Sequence, residues 1–283
     1  MRAPFVTRFA PSPTGRLHRG HAYSAIIAHD AARAAQGRFL LRIEDIDATR
    51  CRPEFEAAIH EDLAWLGLDW ETPVRRQSEQ MADYQAALDR LAAQGLTYRC
   101  FRTRRELAME ITRAPHSAPD AWRGEPLAAA EEARRLAAGE PFAWRLSMAA
   151  AEVAGLPALT FEEIGSGPGG EAGAITVETS RVGDVVLARK DVGVAYHLAV
   201  VVDDALQGIT QVIRGQDLFE ATPVQRVLQT LLALPAPTYR HHRLLTGPDG
   251  KRYAKRDKAE TLAELRGRGM TAGALRTEMG FGP

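Results

Sequence analysis

The stretch RFAPSPTGRLHRGH, from Arg8 to His21, is the part of the sequence from which the rest is best interpreted. Phe5 to Phe9 has β character, and a loop containing Pro and Gly follows it. A helix-compatible segment then begins near Tyr23. This order predicts a strand, a turn and the start of a helix.

Two histidines mark the predicted start of this helix. His18 and His21 stand three residues apart with Gly20 between them, so on a first helical turn both imidazoles face one side, near the positive end of the helix dipole. Such a place suits a nucleotide phosphate, and Gly20, which lacks a Cβ, would let a flat base approach the backbone. Taken alone, histidines at this spacing are more often ordinary surface or core residues.

The whole stretch closely resembles the opening signature of class I aminoacyl-tRNA synthetases of the glutamyl type, with HRGH in place of that family's His-x-Gly-His. The resemblance covers most of residues 5 to 258. It implies that ATP is bound by His18, Gly20 and His21. It also implies that the amino-acid substrate lies against Arg8, Phe9, Ala10, Pro11 and Ser12.

Length and composition restrict the class of protein. With 283 residues the chain can bury a substantial core in one large domain or two modest ones. Lys plus Arg equals Asp plus Glu at 36 each, so any polyanion would have to be bound by local patches. Cys51 and Cys100 are too few for a disulfide framework, and no apolar run is long enough for a membrane span or a secretory signal. We therefore expect a soluble cytoplasmic protein without a membrane partner.

A second segment combines an apolar run with acidic residues. Phe39 to Ile43 is fit for a buried strand and leads directly into Glu44. Carboxylates at the C-terminal end of a parallel strand line the usual ligand crevice, although a solvated acidic loop is the simpler alternative. LRIEDIDATR resembles the glutamyl synthetase segment LRIEDTD, whose first Glu binds the amino group of the substrate. The resemblance assigns that role to Glu44.

Apolar stripes then predict two core helices, one from Pro53 to a closing Gly67 and one from Met81 to Leu91. From Arg99 the sequence becomes RCFRTRREL, in which Thr103 and Glu106 predict a capping box. Four arginines here are either solvated or form a patch for a phosphate backbone: Arg99, Arg102, Arg104 and Arg105.

The interval that continues to about residue 188 is an insertion in the related synthetases, where it grips the tRNA acceptor arm. In this chain it predicts a helix at Ala128 to Ala138 and a flexible Gly-rich loop at residues 165 to 174. The shorter glutamyl-queuosine enzymes of the family often bind zinc here through a Cys-x-Cys pair and a later Tyr and Cys. Arg102 replaces the second Cys of that pair, and no Cys follows Cys100. One thiolate cannot build a four-ligand zinc site, so we expect no metal site and no zinc.

The β character returns after the insertion. Val194 to Val202 is nearly all apolar and predicts a strand covered on both faces, ending at Asp203 and Asp204. Ile209 to Ile213 predicts another strand, ending at Arg214. A helix is then predicted to begin in full capping-box form at Thr222 and Gln225.

Two of these segments, YHLAVVVDD and VIRGQDL, resemble family segments that hold the glutamate substrate. The resemblance assigns glutamate binding to Tyr196 and Arg214. The chemistry is sensible, because a γ-carboxylate suits a planar, bidentate guanidinium. A salt bridge at the end of the strand is the alternative for Arg214.

A basic segment lies between Ala236 and Lys258, with seven Lys or Arg and two Asp. A solvated loop is the usual meaning of such a run. Arg252 to Arg256 resembles the second class I signature, Lys-Met-Ser-Lys-Ser, in its glutamyl form Lys-Leu-Ser-Lys-Arg. Arg replaces the first Lys and Ala replaces Ser, while the second Lys is retained as Lys255. The resemblance implies that Lys255 is catalytic and binds ATP.

The expected fold is α/β: a Rossmann-like class I aminoacyl-tRNA synthetase catalytic core, with a doubly wound parallel sheet and an inserted α+β subdomain. We expect no anticodon-binding domain. The expected parts are residues 1–98 as the first half of the catalytic domain, 99–188 as the RNA-gripping insertion, 189–235 as the second half, and 236–283 as a signature loop with a C-terminal helical segment.

The resemblance implies ATP-dependent activation of L-glutamate, with His18, His21 and Lys255 as catalytic residues and Mg²⁺ neutralising the pyrophosphate. Because no anticodon-binding region is expected, the implied acceptor is the queuosine base of tRNA(Asp), reached through its anticodon arm. A minimal enzyme that charges a tRNA 3′ end is one alternative. A non-catalytic tRNA- or nucleotide-binding paralogue is the other.

Overall fold

The computed structural model describes residues 4–103, 106, 122–189, 193–245 and 260–282. Within these ranges the strands are β1 Val6–Phe9, β2 Arg38–Ile43, β3 Glu71–Arg76, β4 Thr97–Cys100, β5 Ala143–Leu146, β6 Leu159–Glu163, β7 Gly173–Val177, β8 Val186–Arg189, β9 Gln211–Gly215 and β10 Thr238–His242. The helices are α1 Arg19–Ala34, α2 Pro53–Trp65, α3 Met81–Ala93, α4 Ala129–Ala137, α5 Met148–Val153, α6 Tyr196–Leu206, α7 Thr222–Leu231, α8 Leu262–Gly267 and α9 Ala272–Glu278.

The N-terminal part builds a parallel sheet in the order β1-β2-β3. Helices α1 and α2 bury apolar faces in a core cluster that they share with these strands. Gly67 and Gly95 follow the ends of α2 and α3 with φ of +71°, the left-handed conformation in which glycine ends a helix. The predicted alternation of strands and helices in this part of the chain is confirmed.

A second sheet has the order β7-β6-β10-β9, in which β6, β10 and β9 are parallel and β7 is antiparallel to β6. Thr210, just before β9, joins this sheet to β1, because its N–H donates to the Val6 carbonyl at 3.0 Å. Phe9 at the end of β1 and Arg214 on β9 therefore border the same cavity. Parallel strands with helical crossovers confirm the α/β fold class.

The third sheet is antiparallel, in the order β4-β5-β8. Helix α4 confirms the helix predicted at residues 128–138. The Gly-rich stretch at 165–174 connects β6 with β7, and its last residues belong to β7. None of the described helices is long and apolar enough to cross a membrane.

The strand predicted at Val194 to Val202 is wrong, because these residues lead into and form most of helix α6. The helix is apolar on nearly all sides since it contacts α3, α7 and β8, so its sequence shows no polar face. A short, continuously apolar run cannot be distinguished from a buried strand by its periodicity. Asp203 and Asp204 accordingly continue the helix and do not mark the end of a strand.

The capping box predicted at Thr222 and Gln225 is also wrong. Thr222 is itself helical, with φ of −62° and ψ of −45°, and the start of α7 has no side-chain cap. The Thr222 hydroxyl and the Gln225 carbonyl instead accept hydrogen bonds from Arg214 at 2.8 and 2.9 Å. Both side chains therefore bind Arg214 on a neighbouring strand and do not cap the helix as the spacing suggested.

Candidate active site

A cavity of about 520 Å³ opens at the carboxyl ends of β1 and β9. Every sequence-predicted site residue within the described ranges lines it: Arg8, Phe9, Ala10, Pro11, Ser12, His18, Gly20, His21, Glu44, Tyr196 and Arg214. Lys255 lies outside the described residues. The fold thus brings together residues from four separate stretches of the sequence in one concave site.

The two histidines form the start of helix α1. His18 is the N-cap, and its Nδ1 accepts from the Gly20 N–H at 3.1 Å, while Nδ1 of His21 accepts from the His18 N–H at 3.2 Å. Because each Nδ1 accepts a hydrogen bond, a neutral ring carries its proton on Nε2. Both side chains line the cavity at the N-terminal end of helix α1, where a neutral ring has its N–H donor at Nε2.

A buried ionic network supports the floor of the cavity. Arg8 donates to Asp204 at 3.0 Å from Nε and 3.4 Å from Nη2. Arg42, whose side chain is 0% exposed, donates to Asp204 at 2.7 Å and to Glu44 at 3.1 Å. An Asp203 carboxylate oxygen lies 3.6 Å from Arg42 Nε. Asp203 also accepts hydrogen bonds from side chains of α3 and of the segment just before it. The network thus orients both Arg8 and Glu44.

The same network controls protonation. Burial alone would lower the pKa of Arg42, but the surrounding carboxylates outweigh it and raise that pKa. Burial acts to raise the pKa of Asp204, but Arg8 and Arg42 prevail and lower it. Burial raises the pKa of Glu44 despite the opposing arginines. A further cation near Glu44, such as a substrate ammonium group, would favour the ionised carboxylate.

Three charged residues of this network were not predicted from the sequence to have a role: Arg42, Asp203 and Asp204. A signal was present, because one charged residue interrupts the apolar run FLLRI and two others follow VVV directly. Charged residues inside such runs are rarely buried unless they are paired. The pairing partners lie 162 residues apart for Arg42 and Asp204, which local pattern analysis cannot connect.

Arg214 differs from the other buried arginines. It is 5% exposed and lines the cavity, and it donates to Thr222, Gln225 and His241, all without formal negative charge. No carboxylate oxygen of the described residues lies within 4.0 Å of its guanidinium. Buried cations are normally paired with an anion, so this arrangement favours an anionic ligand in the cavity.

Tyr196 begins helix α6 and extends from its first turn into the cavity wall. Burial raises the pKa of its phenol, so the group stays neutral and able to donate a hydrogen bond. The strand prediction was wrong for this segment, but the residue lies in the cavity as the family resemblance implied.

The predicted basic patch is only partly described. The Arg99 guanidinium lies 4.4 Å from the Trp144 ring centroid and pairs with Glu132. The Thr103 and Glu106 hydrogen bonds confirm the capping box predicted there. Arg104 and Arg105 lie outside the described residues. Among the described residues no group of three or more His, Cys, Asp or Glu could hold a metal ion; the absence of zinc stays a prediction.

Comparisons with known proteins show the family to which the chain is similar. The family described as tRNA synthetases class I (E and Q), catalytic domain, matches residues 4–279. The chain is 46% identical over 292 aligned positions to the Glutamyl-Q tRNA(Asp) synthetase of Rhodobacter capsulatus, covering 98% of this chain and 100% of that protein. It is 45% identical to the Glutamyl-Q tRNA(Asp) synthetase of Nocardia farcinica, covering 91% and 78% of the two chains.

The fold is similar to a solved glutamate-tRNA synthetase from Elizabethkingia anophelis, with a TM-score of 0.76 and 28% identity over 90% of this chain. The chain spans about half of that synthetase, covering 53% of its length. One family assignment accounts for three observations: the signature residues around one cavity, the parallel sheet and the match to residues 4–279. The chain belongs to the class I tRNA synthetases of the E and Q type, and residues 4–279 match the catalytic domain of that family.

Proposed function

We propose that the chain activates L-glutamate with ATP and transfers the glutamyl group to the queuosine base of tRNA(Asp). One observation supports glutamate as the amino acid: Arg214 is a cation in the cavity wall, and it has no carboxylate partner among the described residues. Glu44 lines the same cavity and suits an ammonium group. Glutamate offers a γ-carboxylate for the first residue and an α-ammonium for the second.

The remaining predicted residues complete the amino-acid site. We assign Arg8, Ser12 and Tyr196 to hydrogen bonds with glutamate, with Phe9, Ala10 and Pro11 forming the wall and backbone contacts. Two N–H groups of Arg8 already donate to Asp204. The substrate would therefore bind to the remaining N–H groups of that guanidinium.

In the first step the glutamate α-carboxylate attacks the α-phosphorus of ATP, forming glutamyl-adenylate and releasing pyrophosphate. Positioning and charge stabilisation supply the catalysis, so no covalent enzyme intermediate is needed. His18 and His21 would donate to the phosphates from Nε2, and Gly20 would allow the base to approach helix α1. Asp217, a carboxylate in the cavity wall, has the oxygen ligands that suit Mg²⁺, which would neutralise charge on the pyrophosphate.

Lys255 is expected to contribute mainly to the adenylation transition state. The variant Lys255→Ala should lose about 2.7 to 4 kcal/mol of transition-state stabilisation, with glutamate affinity nearly intact, because its charge acts on the phosphates. Glutamate-dependent ATP–pyrophosphate exchange measures the loss. Greater damage from Arg252→Ala than from Lys255→Ala would show that the alignment of this second signature is wrong.

The choice of acceptor is supported by the relatives with the name Glutamyl-Q tRNA(Asp) synthetase, one of which this chain matches over its whole length. An anticodon loop presents unstacked bases that a pocket can bind, so a hydroxyl of a modified base is a reasonable nucleophile. That hydroxyl would attack the glutamyl-adenylate carbonyl, form an ester and release AMP. We propose that the anticodon arm enters the cavity that holds the adenylate.

The test of this acceptor uses labelled glutamate, ATP and tRNA(Asp) with or without queuosine. We expect label on the queuosine-containing tRNA, none on the unmodified tRNA, and undiminished label on the queuosine-containing tRNA after its 3′ terminal adenosine has been removed. The isolated anticodon stem-loop with queuosine should also accept label. Label that requires the terminal adenosine, or that appears on tRNA(Glu), would contradict the proposal and favour ordinary tRNA charging.

A further inference from the structure

Two buried residues lie behind Arg214 and line no part of the cavity wall that the structure describes. Glu163 on β6, His241 on β10 and Arg214 on β9 occupy three neighbouring strands of one sheet. Glu163 and His241 are both 0% exposed at their side chains, and their Oε2 and Nδ1 atoms lie 2.5 Å apart. On the other side of the ring, Arg214 Nε donates to His241 Nε2 at 3.0 Å.

The hydrogen-bond directions determine the tautomer of His241. The arginine Nε–H can only donate, so Nε2 of His241 must accept and carries no proton. The remaining ring proton is on Nδ1, where it donates to the Glu163 carboxylate. Burial and the Arg214 cation lower the pKa of His241 to about 4, against the opposing bond with Glu163, so the neutral ring prevails near pH 7.

The surroundings of His241 leave little room for another arrangement. Its ring stacks on Tyr239 with centroids 6.2 Å apart and meets the edge of Phe219 at 5.1 Å. The other carboxylate oxygen of Glu163 accepts from the backbone N–H of His241 at 3.0 Å and of Gly165 at 2.7 Å. Both oxygens of Glu163 therefore accept hydrogen bonds, and one orientation of the carboxylate satisfies all of these donors.

We propose that Glu163 and His241 are positioning residues that orient the Arg214 guanidinium for the γ-carboxylate and thereby set selectivity for glutamate. The inference rests on the proposed glutamate site. Arginine has five N–H donors, and three are engaged by His241, Gln225 and Thr222, which leaves two for the ligand. Two N–H donors can bind both oxygens of one carboxylate, whereas the amide of glutamine offers a single acceptor oxygen.

The variant Glu163→Gln tests this arrangement with almost no change of volume. The amide oxygen must remain opposite the two backbone N–H groups, so the amide NH₂ faces His241 Nδ1. The histidine proton then moves to Nε2, where it opposes the Arg214 Nε–H. We expect the KM for glutamate to rise roughly tenfold or more, the preference for glutamate over glutamine to narrow, and the KM for ATP to stay unchanged.

Asp184→Asn is the matched control. Asp184 is 3% exposed and accepts from Tyr98 Oη, Gly124 N and Met148 N, so the variant removes an equally buried carboxylate that has no contact with Arg214. It should lower stability without changing the glutamate KM. Equal changes of the glutamate KM in both variants, or none in Glu163→Gln, would overturn the proposal.

Two further measurements separate the possible failures. Arg214→Gln is assayed in parallel: if it retains wild-type glutamate kinetics, the glutamate site itself is misplaced, whereas if only Glu163→Gln is silent, the positioning role alone fails. Long-range ¹H–¹⁵N NMR of the wild-type protein reports the His241 tautomer without ligand and without relying on the folding of any variant. A proton on Nδ1 supports the proposal, and a proton on Nε2 contradicts it.

Discussion

Replacing Arg214 with Gln is expected to lower kcat/KM for glutamate activation by about four orders of magnitude. The residue is 5% exposed, and the described residues offer it no carboxylate within 4.0 Å. In the variant, the γ-carboxylate would enter a buried site without its counter-charge, and desolvation of an unpaired anion is expensive. The side chain of glutamine is neutral, so kcat/KM for glutamine should fall far less. The preference for glutamate over glutamine should therefore collapse.

Initial rates of ATP–pyrophosphate exchange with each amino acid, with and without tRNA, measure this effect. Arg226→Gln is the control, since within the described part of the chain Arg226 on α7 also donates only to neutral groups, the Thr160 carbonyl and Gln229, but does not line the cavity. It should retain glutamate kinetics close to those of the wild type. Normal kinetics in Arg214→Gln would remove Arg214 from the amino-acid site.

The second large effect concerns stability. Arg42→Met is expected to lower the free energy of unfolding by about 3 to 5 kcal/mol, because it leaves several buried carboxylates near an empty cation position. Arg42 is 0% exposed and bonds to both Asp204 and Glu44. Denaturant unfolding of wild type and variant at neutral pH measures the difference.

Arg38→Met provides the comparison within the same strand. Arg38 pairs with Glu71 at 2.6 Å, but both side chains are about half exposed, so this variant should change stability by only about 0 to 1 kcal/mol. A similar loss in the two variants would mean that burial of the network does not determine its contribution.

The cost of Arg42→Met should also depend on pH. In the wild type the pKa of Asp204 is lower in the folded state than in the unfolded state. Asp204 therefore stabilises the folded state at pH values above the unfolded pKa of an Asp, and this contribution is lost as the pH falls through the pKa of Asp204 in the folded state. Without Arg42 the neighbouring carboxylates bind protons more readily, and protonation removes their unpaired charge. The difference between variant and wild type should therefore narrow as the pH falls toward 4.

Local patterns predicted the elements that depend on local physics. The strand around Arg8 and the helix beginning after His18 follow from a short β-rich run, a Pro- and Gly-containing turn and an apolar stripe. Gly67 was predicted to close a helix because glycine tolerates the left-handed conformation, and its φ is +71°. Signature residues were located by resemblance, and the cavity contains those that the structure describes.

The failures share one cause, which is a tertiary contact that the local pattern does not report. Most of Val194 to Val202 lies in helix α6, and other helices cover that helix on several sides, which removes the polar face that would have marked its period. Thr222 and Gln225 bind Arg214 and do not cap their own helix. Patterns of residues report which groups must be buried or satisfied, but they do not report which remote group satisfies them.

The sequence by itself determined the family, the order of most elements and most of the residues proposed for the site, because these depend on short motifs and local periodicity. Only the tertiary structure decided which charges neutralise one another. Arg8 and Arg42 are paired with Asp204 across the fold, whereas Arg214 is bonded to neutral groups and oriented by His241. The reason is that electrostatic energy depends on distance and burial in space, and both are set by packing between segments far apart in the chain.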